Sequence, residues 1–302
     1  MKSYTANGKL LLTGEYLVLK GALALALPTK LGQTMTVETV HASSLQWNAY
    51  NPDGPWFSAT LNLDHLDVID TDDSQKALKL SRILTAVLEL NPSVFKPGLR
   101  FETHLGFNPE WGLGSSSTLI SNLAQWAEVD PYRLLKKTVG GSGYDVACAT
   151  ASTPIFYRLD NEMPIVSPVA FDPPFAEQLF FVYQGQKQHS AKEVANFNAR
   201  TQQNDLNNDI KAINDISRTL PGITILSEFQ RLIDCHEAIL SHCLDRQPVK
   251  QRYPDFEGSL KSLGAWGGDF LLAATDMPFE EVKAYFNNKG LSTIFKYQDL
   301  IL

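Results

Sequence analysis

Residues Asn108–Ile120 read NPEWGLGSSSTLI, a glycine-rich turn that runs into a serine cluster and then an apolar helix. Gly112 and Gly114 have no Cβ, so a ligand can come close to the backbone and positive φ costs little. Ser115, Ser116 and Ser117 are of the type that caps helices, and each offers a hydroxyl. The first N–H groups of a helix lack partners within it, and the macrodipole makes that end slightly positive. Together these features describe an anion site, with phosphate as the first candidate. A glycine turn with an ordinary N-cap has the same letters, so this stretch alone leaves the two readings level. It is not a P-loop, because no Lys follows the last glycine.

The chain has 302 residues, enough for a large core in one or two domains. Its hydrophobic content of 44% and charged content of 20% are those of a soluble globular protein. A net charge of −7 argues against nucleic acid as a partner. Cys148, Cys235 and Cys243 are odd in number and lack metal-type spacing, so a cytoplasmic setting is expected. The apolar stretches near the start are interrupted by Glu15, Lys20 and Lys30, too soon for a membrane span.

The first hundred residues read as largely β. Lys9–Thr13, Tyr16–Leu19 and Ala22–Leu27 are expected as short strands, the last ended by Pro28. Gln33–Val40 alternates and is rich in β-branched residues. Ser44–Trp47 and Trp56–Leu61 are expected to pair around the turn signals at 51–55. Ser74–Asn91 carries Leu78, Ile83, Leu84, Val87 and Leu88 at helical spacing. Gly98–Thr103 is expected as a strand, Ser116–Val129 as the helix on the glycine turn, and Asp130-Pro131 as the start of another. A strand near Pro154–Arg158 precedes a proline-rich stretch, Pro164–Pro174. The domain boundary is placed there, giving domains 1–165 and 166–302. Leu179–Tyr183 and Ser292–Tyr297 are expected as strands. Ser190–Ile216, Ile225–Leu244 and Pro278–Asn288 are expected as helices. Ser259–Leu263 leads into the glycine turn Gly264–Asp269 and then apolar Phe270–Thr275. The mixture is α+β.

Three glycine motifs gain specificity from their order. They are Gly8-Lys9-Leu10-Leu11-Leu12-Thr13-Gly14-Glu15-Tyr16-Leu17-Val18-Leu19-Lys20-Gly21, Gly112-Leu113-Gly114-Ser115-Ser116-Ser117, and Gly264-Ala265-Trp266-Gly267-Gly268-Asp269. The set resembles the GHMP kinase superfamily, named for galactokinase, homoserine kinase, mevalonate kinase and phosphomevalonate kinase, over essentially the whole chain. Gly141-Ser142-Gly143-Tyr144-Asp145-Val146-Ala147 and the third loop ending in Asp269 are most similar to the phosphomevalonate/mevalonate kinase branch. The resemblance implies an α+β, two-domain GHMP kinase fold, with an N-terminal ribosomal-protein-S5-like domain and a C-terminal ferredoxin-like α/β sandwich. It implies an ATP-dependent phosphotransferase acting on a small metabolite, phosphomevalonate or mevalonate, with ATP and Mg²⁺ as cofactors. Nucleic acid and membrane are not expected as partners, and a homodimer is admitted.

Phosphoryl transfer needs phosphate positioning, a cation to spread charge and a group that orients the acceptor hydroxyl. By resemblance, Gly112, Leu113, Gly114, Ser115, Ser116 and Ser117 bind the nucleotide, and a hydroxyl at Ser115 or Ser116 reaches the metal. Asp145 matches the family base and Lys9 its neighbouring lysine. Glu15, Gly143, Gly264, Gly267 and Gly268 are expected toward the acceptor. Lys187, His189, Ser190 and Lys192 follow a strand, where these kinases place acceptor contacts. Read as isolated residues, Asp145 is a helix-capping aspartate, and Lys9 and His189 are solvated side chains.

The sequence departs from the family pattern at two tryptophans. Trp111 and Trp266 stand in glycine loops where glycine is usual. They are expected either to wall the phosphate site or to fill local gaps. No acidic residue lies in Arg133–Gly143 to supply the helix glutamate that mevalonate kinases use for Mg²⁺. A diphosphomevalonate decarboxylase-like enzyme and a catalytically silent nucleotide-binding regulator are the competing readings.

Overall fold

The structure is a computed structural model that describes residues 1–95, 98–186, 190–202, 204–264, 266 and 269–302. The chain divides into two compact units that interleave along the sequence. The first holds residues 1–8, 31–109 and 113–150, and the second holds 9–30, 110–112 and 151–302. The boundary expected at 165/166 therefore falls inside the second unit.

Two long strands, β1 (Lys2–Thr13) and β2 (Ala24–Thr39), supply residues to both units. In the first unit the end of β2 continues a sheet with β3 (Ser44–Asn51), β4 (Gly54–Asn62), β5 (Val68–Thr71) and β6 (Leu99–Leu105), in the order β5-β4-β3-β6-β2. β3 and β4 form the expected hairpin. β6 returns parallel to β3, with Leu45 opposite Leu99, and antiparallel to β2. The crossover into β6 is α1 (Ser74–Leu90), whose N-cap Asp73 accepts hydrogen bonds from the Gln75 and Lys76 amides at 3.0 Å. The buried stripe of α1 is Ala77, Leu80, Ile83, Leu84, Ala86 and Val87. Leu78, counted in that stripe from the sequence, is 56% exposed because it lies about 100° around the helix from Ala77.

Helices α2 (Ser115–Ala127), α3 (Pro131–Lys137) and α4 (Tyr144–Thr150) complete this unit. Asp130 caps α3 as expected, accepting from the Tyr132 amide at 2.7 Å. The core lies between the sheet and the helices. Phe101 sits at its centre, stacked on Trp47 at 5.0 Å and edge-on to Trp126 at 4.8 Å. One face of α2 is polar yet buried. Thr118 donates to Gln33 Oε1 and Asn122 Nδ2 to the Gln33 carbonyl, both at 3.0 Å.

In the second unit the start of β2 pairs with β7 (Ile155–Asp160), which pairs with β8 (Met163–Pro168). Prolines 164 and 168 thus belong to an exposed strand and not to a linker, which an edge position tolerates. A second sheet has the order β10-β11-β9-β12, from β9 (Leu179–Tyr183), β10 (Ser259–Leu263), β11 (Phe270–Ala274) and β12 (Ile294–Lys296). Its helices are α5 (Ser190–Thr201), α6 (Asn207–Thr219), α7 (Leu226–Leu244) and α8 (Phe279–Asn287).

Two strand expectations fail near the start. Leu17–Lys20 is a 3₁₀ turn and not a strand, because Tyr16 at φ 61° turns the chain and Leu17 N bonds back to Glu15 O at 2.6 Å. Pro28 does not end β2. β2 runs on to Thr39, and Pro28 falls between the stretch paired with β7 (24–26) and the stretch paired with β6 (33–39).

Truncating Phe101 to Ala in this aromatic stack is expected to destabilise the protein by about 3–5 kcal/mol in urea unfolding. A loss below about 1 kcal/mol would mean that the Trp47–Phe101–Trp126 stack does not organise the first core.

Candidate functional site

In the first unit, Gly114 is the N-cap of α2, at φ 94°, and no side chain caps the helix. The sequence suggested serine capping. Ser115–Ser117 lie instead inside the first turn, because the glycine's left-handed backbone makes the entry without side-chain help. The first-turn amides are therefore left uncapped by side chains, as an anion site requires. Ser116 is exposed, Ser115 half-buried and Leu113 wholly buried. Ser117 is 4% exposed and its hydroxyl donates to Asp145 Oδ2 at 2.6 Å. Asp145 lies in the first turn of α4 and its Oδ1 accepts from the Val146 amide at 3.0 Å. Gly143, at φ 88°, makes the turn into that helix, and its carbonyl accepts from Ala147 N at 3.0 Å. The second motif and the Gly143-Tyr144-Asp145 stretch, 28 residues apart at Ser117 and Asp145, thus meet through one short hydrogen bond.

In the second unit, Lys9 Nζ donates to the Gly112 carbonyl at 2.8 Å. Gly112 has φ 70°, and a methyl group there would come within 2.5 Å of Asp269 Cγ and 2.7 Å of both carboxylate oxygens. A methyl on Gly264, also at φ 70°, would lie 3.1 Å from Asp269 Oδ2. Asp269 is 5% exposed, and its carbonyl accepts from the Gln184 amide at 2.9 Å. Trp111 packs on Phe295 at 5.2 Å and on Phe270 and Tyr183 at 6.4 Å, and Tyr183 donates its hydroxyl to the Glu110 carbonyl at 3.0 Å. Burial, followed by the Glu110 and Asp269 charges, raises the Tyr183 phenol. Trp266 does not wall a ligand loop. It is buried among Tyr16, Phe197 and Leu240, its carbonyl accepts from Arg246 at 2.9 Å and its amide donates to the Tyr16 hydroxyl at 3.2 Å. It fills a core gap.

Glu15 is 2% exposed and belongs to a buried charge network. Lys261, fully buried in the middle of β10, donates a short bond to Glu15 Oε1 and a 2.8 Å bond to the Ser262 carbonyl. His236 Nε2 accepts from the Gly14 amide at 2.9 Å and lies 3.4 Å from Glu15 Oε2. Glu237 accepts from Val249 N and Ser262 N, each at 3.0 Å, and from the Ser262 hydroxyl at 3.1 Å. Burial, opposed by Lys261, pushes the Glu15 carboxyl up to about 7. Burial first, and Lys261 second, holds His236 well below its ordinary value, so it stays neutral. Burial likewise raises Glu237.

The sequence reading missed Lys261, His236 and Glu237. The signal was present. A lysine in the middle of the expected strand Ser259–Leu263 needs a buried partner once that strand is covered. His236 and Glu237 sit on the same helical stripe as Leu232, Ile233 and Leu240. Lys187, His189, Gly267 and Gly268 lie outside the described residues, and Ser190 opens α5.

No protein-family model matches the chain, and no curated protein matches it in sequence. Its likeness is to solved structures. A Streptococcus pneumoniae phosphomevalonate kinase in complex with phosphomevalonate and AMPPNP superimposes with a TM-score of 0.72 at 17% identity, covering 98% of this chain and 100% of that one. The Methanococcus jannaschii mevalonate kinase gives 0.70 at 16% identity, covering 97% and 96%. A Lactococcus lactis galactokinase complexed with galactose gives 0.67 at 12% identity, covering 97% and 92%.

The fold is that of the GHMP kinases. Among the described residues no helix is long and apolar enough to cross a membrane. The likeness spans nearly the full length of the chain, and identities this low carry nothing about the acceptor.

Lys261→Met leaves Glu15 buried without its cation. Glu15's raised pKa means the folded state holds a proton the unfolded chain releases, so its contribution to stability falls as pH rises from its unfolded value through about 7. The variant pushes that pKa higher still. Urea unfolding is expected to show a loss of about 3–5 kcal/mol near pH 8 and a clearly smaller loss near pH 5.5. Equal losses at both values would exclude the ion pair as the cause.

Proposed function

We propose that the chain is an ATP-dependent kinase that transfers the γ-phosphoryl group to a small metabolite, with phosphomevalonate or mevalonate as the acceptor. The observation that carries the reading is the Ser117–Asp145 hydrogen bond, 2.6 Å long, at the start of a helix whose first turn has no side-chain cap. It sets a carboxylate beside an anion-binding helix end within one unit. Phosphate binding and acceptor activation need that pairing.

In this reading the amides of Ser115, Ser116 and Ser117 and the backbone of Gly112–Gly114 receive the triphosphate. The donor set is oxygen-rich, with the half-buried Ser115 hydroxyl, the exposed Ser116 hydroxyl and nearby carboxylates, which suits a hard cation such as Mg²⁺. Magnesium, when bound, spreads the charge of the phosphates. Asp145 accepts the proton from the acceptor hydroxyl as that oxygen forms its bond to the γ-phosphorus and the bond to the ADP oxygen breaks. The Ser117 hydroxyl fixes which carboxylate oxygen faces Ser117, leaving the other lone pairs of Asp145 for the acceptor. By resemblance, Lys9 is the lysine that steadies the transferring phosphoryl group. The choice of acceptor rests on the Gly-Tyr-Asp-Val-Ala stretch, which resembles the phosphomevalonate/mevalonate kinase branch.

An ADP-release screen against mevalonate, phosphomevalonate, homoserine, hexoses and shikimate tests the reading. Turnover is expected with one of the first two. Nucleotide binding without ADP release from any acceptor would favour a silent regulator, and release of CO₂ would favour a decarboxylase. Asp145→Asn is expected to lower kcat by about 10²–10⁴-fold while Mg-ATP affinity stays within a few-fold. Near-normal turnover in that variant would remove Asp145 from the role of base.

A further inference from the structure

Trp266 stands in the third glycine motif at a place where glycine is usual, and its backbone is held from both sides. Its amide donates to the Tyr16 hydroxyl at 3.2 Å, and its carbonyl accepts from Arg246 at 2.9 Å. Tyr16 keeps φ 61° and ψ −48°, a backbone that a bulky residue rarely holds and that a glycine would take at little steric cost. Such strain persists only where the surroundings over-determine it. Here it aims a buried phenol between the Phe197 ring, 5.4 Å away on α5, and the Trp266 amide. Burial pushes that phenol up to about 12, so it meets the amide as a neutral hydroxyl.

Arg246 reaches out from the corner after α7. That corner is tied to its own helix: Asp245 ends α7 in the left-handed conformation, and the Arg246 amide donates to the Ser241 carbonyl at 3.0 Å. The guanidinium fork is divided. Nη1 holds the Trp266 carbonyl, while Nη2 holds Glu193, in the first turn of α5, at 2.5 Å. The far end of α5 meets the same corner, where Arg200 donates to the Leu244 carbonyl at 2.7 Å and pairs with Asp245 at 3.1 Å. One corner therefore ties down both ends of α5 and the middle of the third motif, all within the second unit. A lysine has a single nitrogen and does not reproduce the fork.

We propose that Tyr16 and Arg246 are positioning residues for the acceptor, fixing the third glycine motif relative to the first turn of α5. Those two segments, through Gly264 and Lys192, are expected toward the acceptor, and Lys192 is the immediate neighbour of Glu193. Tyr16 and Arg246 touch no reacting atom in this assignment. They set where the acceptor's partners stand, so their loss weakens acceptor binding more than it slows the chemical step. This inference rests on the kinase reading of the preceding subsection.

The test is steady-state kinetics with phosphomevalonate or mevalonate, whichever the wild-type chain turns over, beside amide hydrogen exchange. Tyr16→Phe keeps the ring and removes the oxygen, and Arg246→Lys keeps the charge and removes the fork. Each is expected to raise the acceptor KM by about tenfold or more while kcat and the ATP KM stay within about threefold. Glu193→Ala is expected to behave as Arg246→Lys does, and Glu193→Gln, which still offers Arg246 an oxygen, to recover most of the loss. Ile213→Val, in the same core as Tyr16 and Trp266, is the control for lost packing and is expected to leave all three constants within about twofold. Exchange reads the arrangement without turnover. In Arg246→Lys the Trp266 amide, which Tyr16 and not Arg246 holds, is expected to exchange faster by about tenfold or more, with the β9 amides unchanged. An acceptor KM within about twofold of wild type in Tyr16→Phe or Arg246→Lys, an equal rise in Ile213→Val, or unchanged Trp266 protection in Arg246→Lys would each overturn the proposal. No turnover by the wild-type chain with either acceptor would overturn the kinase reading and this inference with it, so the two failures are told apart.

Discussion

The second unit depends on a lysine that has nowhere to go. Lys261 is the middle residue of a five-residue strand in which every position is buried, and its ammonium keeps no surface at all. Taking such a group out of water costs several kcal/mol, so the strand is tolerable only if a counter-charge reaches it. Glu15 does so from a point 246 residues earlier in the chain. Glu237, on α7, binds the backbone next to Lys261 through Ser262. One buried cation thereby fixes the turn of the first glycine motif against the strand that leads into the third. Gly14 shares in this arrangement. Its amide is held by His236, and a methyl group there would come within 2.9 Å of Ala24 Cα. Lys9 leaves the same strand four residues before the Thr13–Gly14 corner, so its position on Gly112 follows from how firmly that corner is held.

The first unit solves a different problem, that of presenting an uncapped helix end. Most helices satisfy their first amides with a Ser, Thr or Asp side chain, as α1 does with Asp73 and α3 with Asp130. α2 has three serines available and uses none of them for this purpose. Gly114 takes the left-handed conformation, which moves the serines into the helix, and Ser117 turns its hydroxyl to Asp145 instead. In the second unit α6, α7 and α8 likewise start without a side-chain cap, so the bare start of α2 gains its meaning from Asp145 beside it.

Much of this was legible in the sequence. The α+β mixture, the Ser44–Leu61 hairpin, α1, α2 and α7 follow from periodicity and turn chemistry, and the three glycine motifs pointed to the fold that the solved structures share. What was not legible depends on contacts far apart in the chain. Glu15 read as a site residue because it belongs to a glycine motif, and only the placement of Lys261 shows how its carboxylate is engaged. Trp266 stood out because glycine was expected, while its burial against Tyr16 and Phe197 could not be seen from neighbours in sequence. Pro28 read as a strand end and Pro164 as part of a domain boundary, because single-strand reasoning cannot tell where a sheet accepts a proline. Asp269 closed the third motif without a role, since its contact with Gly112 spans more than half the chain.

The polar seam between α2 and β2 has a consequence for geometry. An apolar helix face can roll over a sheet by several degrees at little cost, because dispersion contacts are not directional. Thr118 and Asn122 are one turn apart and both reach Gln33, one to its side chain and one to its backbone. Two directional bonds to a single strand residue work as an index pin: they set the helix's rotation about its own axis as well as its distance from the sheet. Sliding β2 by one residue against β6 would turn Gln33 to the opposite face, leaving Asn122 without this partner and Thr118 with the Ser115 carbonyl alone. The azimuth at which the Ser115–Ser117 amides and hydroxyls point is thereby written into strand register, several residues away from any atom that a ligand would touch.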